Sequence, residues 1–128
     1  MKIVLDYGHC LSGPDTGASG NGYREEVCTR EIGKKVRAKL ENLGHYVVVS
    51  PDYALSVSES LRIRVSSANS AAADISVSIH LNAGGGRGTE IYTKGGSTLV
   101  EASNILKEMN VIGYINRGIK NGSELAVV

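Results

Sequence analysis

The sequence predicts an α/β protein in which an open, twisted and mostly parallel sheet is flanked by helices. Two observations predict this class. Short apolar runs typical of buried strands alternate with segments whose apolar residues recur at helical spacing. The connections between the first three strand-like runs are also long enough for helical crossovers. A chain of 128 residues is expected to form a single domain, residues 1–128.

The first part of the chain supplies three predicted strands, two predicted helices and a loop. The strands are KIVLD at 2–6, HYVVVS at 45–50 and DISVSIH at 74–80; the helices cover 26–43 and 57–72; the glycine-rich loop covers 10–24. Gly44 is a good terminator for the first helix. Ser56 and Glu59 have the spacing of a capping box at the start of the second.

Each of these two helices is predicted to bury one apolar stripe. The stripe of the first comprises Cys28, Ile32, Val36, Leu40 and Leu43. The stripe of the second comprises Leu61, Val65, Ala68 and Ala72. These faces are expected to pack on the sheet.

The later part of the chain predicts a fourth strand at 88–93, a third helix at 97–109 and a fifth strand in the closing LAVV, residues 125–128. The link between the third and fourth strands is too short for a helical crossover. The fourth strand is therefore expected to run antiparallel to the third, or to be displaced from it.

Composition excludes several classes of function. The net charge of +1 does not indicate electrostatic binding to nucleic acid or to an anionic membrane. The chain has neither a membrane-spanning apolar run nor a signal-peptide pattern, so we expect a soluble protein whose own sequence does not direct export. Two cysteines are too few for a disulfide framework.

Three chemistry-bearing residues are predicted to meet at the carboxyl edge of the sheet, where ligands bind in open parallel sheets. His9 follows the first strand, Glu25 precedes the first helix and His80 ends the third strand. Two imidazoles and one carboxylate form the ligand set of catalytic zinc sites. The alternative is that both histidines are hydrogen-bonded strand-end residues and that Glu25 is an acid favoured by the helix dipole.

Several ordered motifs resemble the type 3 family of zinc-dependent N-acetylmuramoyl-L-alanine amidases, which occur in bacterial cell-wall autolysins and phage endolysins. The D-x-G-H segment Asp6–His9 comes first, followed by DTGASGNGYREEVCTREIGKKV. The most specific stretch is SLRIRVSSANSAAADISVSIHLNA, and GTEIY and NRGIKNGSELAVV also resemble later family segments. The resemblance covers essentially the whole chain.

The resemblance implies that His9, Glu25 and His80 bind Zn²⁺ and that peptidoglycan is the substrate. The implied reaction is hydrolysis of the amide between N-acetylmuramic acid and L-alanine. Glu26 is the alternative carboxylate ligand. In the family the ligand is followed four residues on by a small polar residue, as Glu25 is by Thr29, and the distance to the helix end also favours Glu25. No membrane span and no nucleic-acid partner are expected.

The sequence ends at Val128, before the last segments of the family pattern. The family's catalytic glutamate, with a last strand and a closing helix, lies beyond that point, so the catalytic residue is unknown here. We therefore expect a truncated amidase with weak or no turnover, since a lost general base typically costs about 10²–10⁴-fold in rate. The alternative function is a catalytically inactive, zinc-holding wall-binding or regulatory module.

The implied place of action is the cell wall. We expect either a phage lysin released by host lysis or a processed secreted protein. A separate cell-wall-binding domain in the full protein is compatible with either.

Five further residues have two interpretations each. Asn82, Arg117 and Lys120 are candidates for substrate binding, against roles in a site loop or a solvated loop. Cys10 is a ligand by proximity to His9 or a small buried residue. Glu90 is a substitute base or a strand-face residue.

Overall fold

The strands and helices alternate as the α/β class requires. In chain order they are β1 (Lys2–Asp6), β2 (Ser19–Gly20), β3 (Tyr23–Arg24), α1 (Glu25–Asn42), β4 (Tyr46–Val49), α2 (Val57–Ser70), β5 (Ile75–Ser78), β6 (Thr89–Thr93), α3 (Val100–Val111) and β7 (Asn116–Asn121). The structure, a computed structural model, describes residues 1–128. They form two compact units, Met1–Asn82 and Ala83–Val128.

A three-stranded parallel sheet with the order β4–β1–β5 lies at the centre of the first unit. Strand β1 pairs with both neighbours and is buried on both faces, as the apolar run IVL at 3–5 predicts. The α/β class with parallel strands flanked by helices is thereby confirmed.

The core of this unit lies between the sheet and α1. Its buried members are Leu5, Tyr7 and Val47. Half-buried apolar residues packed against them are Val36, Leu40, Val49, Val77 and Ile79. With no Phe or Trp in the chain, aliphatic side chains and Tyr7 supply the packing.

The predicted stripe of α1 is only partly correct. Val36 and Leu40 do pack on the core, but Ile32 and Leu43 are exposed and Cys28 is only half-buried. The buried residues of the helix are instead Glu25, Glu26, Thr29, Arg30 and Gly33. Thr29 and Arg30 are buried because their side chains donate hydrogen bonds to backbone carbonyl oxygens of the loop after β1. Gly33 is buried because it contacts the Tyr7 ring.

The predicted stripe of α2 is also only partly correct. Val65 and Ala68 are half-buried, but Leu61 and Ala72 are exposed, and the buried residues of the helix are Ser60 and Arg64. The helix faces buried carboxylates of the first unit, so its inward side chains are polar.

The loop predicted at 10–24 contains a small antiparallel hairpin, β2–β3. Its two central residues, Asn21 and Gly22, both have positive φ, as a type I′ turn requires. Asn-Gly is the strongest short hairpin signal in a sequence, and the compositional interpretation of this loop overlooked it. The hairpin leads directly into Glu25 at the start of α1.

The second unit is a β–α–β arrangement in which β6 and β7 pair in parallel and α3 buries Ala102 and Leu106. The strand predicted in LAVV is wrong. Those residues make turn-like bonds, with Leu125 N–H donating to Gly122 O at 2.8 Å. Residues 116–121 pair with β6 instead, a choice that depends on a partner distant in sequence.

Strand β6 does not pair with β5; it belongs to a separate two-stranded sheet with β7. The predicted antiparallel pairing of the fourth strand with the third is therefore not formed, and the fourth strand is displaced into another sheet. None of the helices combines the length and apolarity needed to cross a bilayer.

Candidate metal centre

The register of the sheet brings two histidines to one edge. Asp6 of β1 lies beside Ser78 of β5, and His9 and His80 follow these strand ends by three and two residues respectively. Their rings meet edge to face, with centroids 4.9 Å apart and planes at 81°.

Glu25, the first residue of α1, lies against both rings. Its Oε1 is 3.4 Å from His9 Nε2 and 3.2 Å from His80 Nδ1. One ligand atom from each of the three residues lies within 4.8 Å of the others. Glu25 is buried, while the side chain of His80 is 40% exposed, so the cluster opens to solvent on the His80 side.

A left-handed turn aims His9 into this cluster. Gly8 and His9 have φ values of 53° and 57°, a region that a non-glycine residue rarely adopts. Arg30 Nη2 donates to the carbonyl oxygen of His9 at 2.9 Å, and Thr29 Oγ1 donates to that of Gly8 at 3.4 Å. The buried polar face of α1 thus holds the turn.

Backbone donors orient the Glu25 carboxylate. Ala18 N–H donates to Oε2 at 2.9 Å and Leu81 N–H donates to Oε1 at 2.8 Å. Burial by itself raises the pKa of Glu25, but these two bonds and the nearby histidines shift it below its usual value. The carboxylate is therefore ionised near neutral pH, as a metal ligand must be.

Asp15 lies behind His9, with Oδ1 3.0 Å from His9 Nδ1. Burial raises the pKa of Asp15, but hydrogen bonds from Ser60 and His9 and the charge of Arg64 leave the net shift downwards. The sequence interpretation did not select Asp15. Its position six residues after His9 in a glycine-rich loop carries no periodic signal, since only the folded loop brings the two side chains together.

The alternative ligands lie elsewhere. Glu26 is 1% exposed and forms an ion pair with Arg24. Cys10 is a buried thiol with its Sγ 3.5 Å from Ser60 Oγ. Neither belongs to the group of side chains that can share a metal, which consists of His9, Glu25 and His80.

The predicted binding residues of the second unit contact Glu90. Arg117 Nη2 is 3.0 Å from Glu90 Oε2, and Lys120 Nζ donates to the same oxygen. The hydrogen bond from Lys120 is the main cause of a lowered pKa at Glu90, which makes this carboxylate a weaker base. Asn82 is exposed at the end of the first unit. Substrate binding by Asn82, Arg117 and Lys120 stays a prediction.

His45, the third histidine, lies at the opposite end of the sheet. Its Nδ1 is 3.4 Å from the amino group of Met1, beside the start of β1. This position separates it from the cluster at the carboxyl edge.

The donor set suits zinc, and so do two of the three spacings between ligand atoms; all three atoms lie within 4.8 Å of one another. Two ligand atoms at about 2.0–2.1 Å from a tetrahedral zinc ion lie roughly 3.3 Å apart, close to the 3.4 and 3.2 Å measured from Glu25 to the two histidines. Two histidines and one carboxylate leave a fourth position for water or substrate. The three side chains could therefore hold a metal ion without a change of fold.

Comparison with known proteins points to one family. The family model for N-acetylmuramoyl-L-alanine amidase matches residues 3–128. The amidase CwlM of Bacillus licheniformis is 37% identical over 127 residues, 96% of this chain and 49% of that protein. The endolysin of Bacillus phage SPP1 is 35% identical over 131 residues, 98% of this chain and 47% of that protein. The chain thus spans about half the length of these two curated relatives.

A solved structure agrees with these relatives. The catalytic domain of CwlV, an N-acetylmuramoyl-L-alanine amidase from Bacillus (Paenibacillus) polymyxa var. colistinus, superposes with a TM-score of 0.78 at 28% identity. The match covers 99% of this chain and 72% of that domain.

Proposed function

This chain belongs to the N-acetylmuramoyl-L-alanine amidase family, and we propose that it acts as a zinc-dependent hydrolase of the bacterial cell wall. The bond cleaved is the amide between N-acetylmuramic acid and L-alanine of peptidoglycan. The observation that carries this proposal is the convergence of His9, Glu25 and His80 from three separate segments.

Each of these residues has a separate task. Glu25 supplies a buried negative charge that favours a dication, held in place by the two backbone N–H groups. His9 presents Nε2, and His80 presents Nδ1, on either side of the same carboxylate oxygen. Zinc bound here supplies a Lewis acid that acidifies water and polarises the scissile carbonyl. The exposure of His80 leaves a path for substrate.

Metal analysis of the purified full chain tests the ligand set. We expect one zinc ion per chain, lost in His80→Ala and strongly reduced in Glu25→Gln. Glu26→Gln is the matched control, because Glu26 is the next residue and is equally buried but pairs with Arg24. Retention of zinc in Glu25→Gln together with its loss in Glu26→Gln would reverse the assignment.

Digestion of purified peptidoglycan tests the reaction. We expect slow, zinc-dependent appearance of new L-alanine amino groups without new reducing sugar ends, abolished in His80→Ala. New reducing ends would indicate a glycosidase. Sedimentation of the zinc-loaded chain with the walls, without any release of amino groups even on prolonged digestion, would contradict the hydrolase proposal and favour the wall-binding module.

A further inference from the structure

Asp15 joins the candidate metal centre to the interior of the first unit. It is 8% exposed, and its two carboxylate oxygens have different partners. Oδ1 faces His9 Nδ1 at 3.0 Å, whereas Oδ2 accepts a hydrogen bond from Ser60 Oγ. Arg64 Nη2 lies 3.8 Å from Oδ2. Each of the two carboxylate oxygens therefore has a partner that fixes the orientation of the side chain.

Behind Asp15 lies a buried polar network that spans three elements. Arg64 Nε on α2 donates to Ser60 Oγ at 3.0 Å, and Arg64 Nη1 donates to Asp6 on β1. Ser78 Oγ on β5 donates to the other oxygen of Asp6 at 2.6 Å. The network ties Asp15 to the same two strands whose ends deliver His9 and His80.

The charges of this network are unequal. Arg64 is the one cation of this network and lies between two buried carboxylates, Asp6 and Asp15, so the network itself carries a net negative charge beside His9. The other buried guanidinium near His9, that of Arg30, donates to the His9 carbonyl oxygen. A buried charge without compensation is costly. The network therefore favours an N–H group of His9 pointing at Asp15. It also favours a cation bound on the far side of the His9 ring.

The contact also selects the tautomer of His9. An ionised carboxylate only accepts hydrogen bonds, so the proton of a neutral His9 ring belongs on Nδ1. The lone pair then lies on Nε2, the atom that faces Glu25 Oε1.

We infer that Asp15 is a positioning residue: it holds His9 in the Nδ1–H tautomer and fixes the ring so that Nε2 is available to the metal. The inference rests on the zinc binding proposed above. Partners of this kind typically contribute about 10–100-fold to metal affinity.

Zinc affinity of the full chain, measured by competition with a chromophoric chelator, gives the first test. We expect Asp15→Asn to weaken zinc binding by about 10–100-fold. Ser60→Ala is the matched control, because it removes the partner of Oδ2 and leaves the contact of Oδ1 with His9. Circular dichroism and the urea midpoint show whether each variant is folded. Unchanged zinc affinity in a folded but destabilised Asp15→Asn would mean that Asp15 only supports the fold, and would overturn the inference.

Long-range ¹H–¹⁵N NMR of the histidine rings gives a second test that needs no variant. In the zinc-free chain, the inference requires neutral His9 to carry its proton on Nδ1; a proton on Nε2 overturns it. In the zinc-loaded chain, Nε2 must be the ligating atom. A wild-type chain that binds no zinc would refute the proposed function, while the tautomer in the zinc-free chain would still decide the role of Asp15.

Discussion

At the residue scale, the backbone of Gly8 decides whether the histidines can meet. Its φ is 53°, and a Cβ there would overlap the Ile79 carbonyl oxygen and lie 3.0 Å from His80 Cε1. Only glycine combines this conformation with such a close approach to the neighbouring strand end. Gly8 therefore permits both the turn that aims His9 and the position of His80.

We expect Gly8→Ala to lower the free energy of unfolding by roughly 2–4 kcal/mol, since steric overlap adds to the cost of a left-handed alanine. Gly22→Ala is the matched control: its φ is 80°, with no atom within 4 Å of the added Cβ. That variant should lose only about 1 kcal/mol. Urea unfolding of both measures the difference, and equal losses would show that the overlap is relieved.

At the element scale, α1 faces the core with a different side from the one its apolar residues predict, because the helix packs through Gly33. A Cβ on Gly33 would overlap ring atoms of Tyr7. This close approach places Thr29 and Arg30 over the turn at Gly8 and His9. Helix packing and ligand placement thus depend on the same face.

Gly33→Ala should destabilise the protein although alanine is the better helix former by about 1 kcal/mol, because overpacking typically costs about 1–3 kcal/mol. Urea unfolding measures the loss. In a Tyr7→Val background the same change should be neutral or stabilising. A loss of equal size in both backgrounds would show that the Tyr7 ring is not its cause.

The start of α2 confirms the cap predicted at Ser56. Ser56 Oγ accepts from Glu59 N–H at 3.1 Å, and Glu59 Oε2 accepts from Leu55 N–H at 2.7 Å. Ser56→Ala should therefore cost about 1 kcal/mol of unfolding free energy. Ser66→Ala, at an exposed serine further along the same helix, should cost much less. Thermal or urea unfolding compares the two, and similar costs would contradict the capping role.

At the scale of the whole molecule, the candidate metal centre joins segments far apart in the chain within Met1–Asn82. Residues 9, 25 and 80 come together only when β1, α1 and β5 have formed. A metal bound by these three residues would therefore be linked to folding of this unit.

Zinc should raise the thermal midpoint of the chain, and a chelator should reverse the shift. At a free zinc concentration a thousandfold above Kd, the added stability is about 4 kcal/mol. Scanning calorimetry with zinc and with chelator measures it. His80→Ala should show no zinc-dependent shift; an undiminished shift would place the ion elsewhere.

Local patterns account for what could be predicted. Strand β1, the helices α1 and α2 and the glycine turn before His9 follow from apolar runs, helical spacing and turn residues, which act over a few neighbours. The convergence of the two histidines and Glu25 follows from the parallel order of the strands. The β2–β3 hairpin was predictable too, because Asn21-Gly22 carries a local signal.

The sequence alone therefore specifies most of the element types in Met1–Asn82, the class of the sheet and the edge at which His9, Glu25 and His80 emerge. Tertiary contacts decided the buried faces of α1 and α2, the pairing of residues 116–121 with β6, and the place of Asp15 behind His9. Each of these depends on partners brought close by folding: the Tyr7 ring, the buried Asp6–Arg64 pair and a distant strand. The free energy of burying a side chain depends on those partners, and a short stretch of sequence does not contain them.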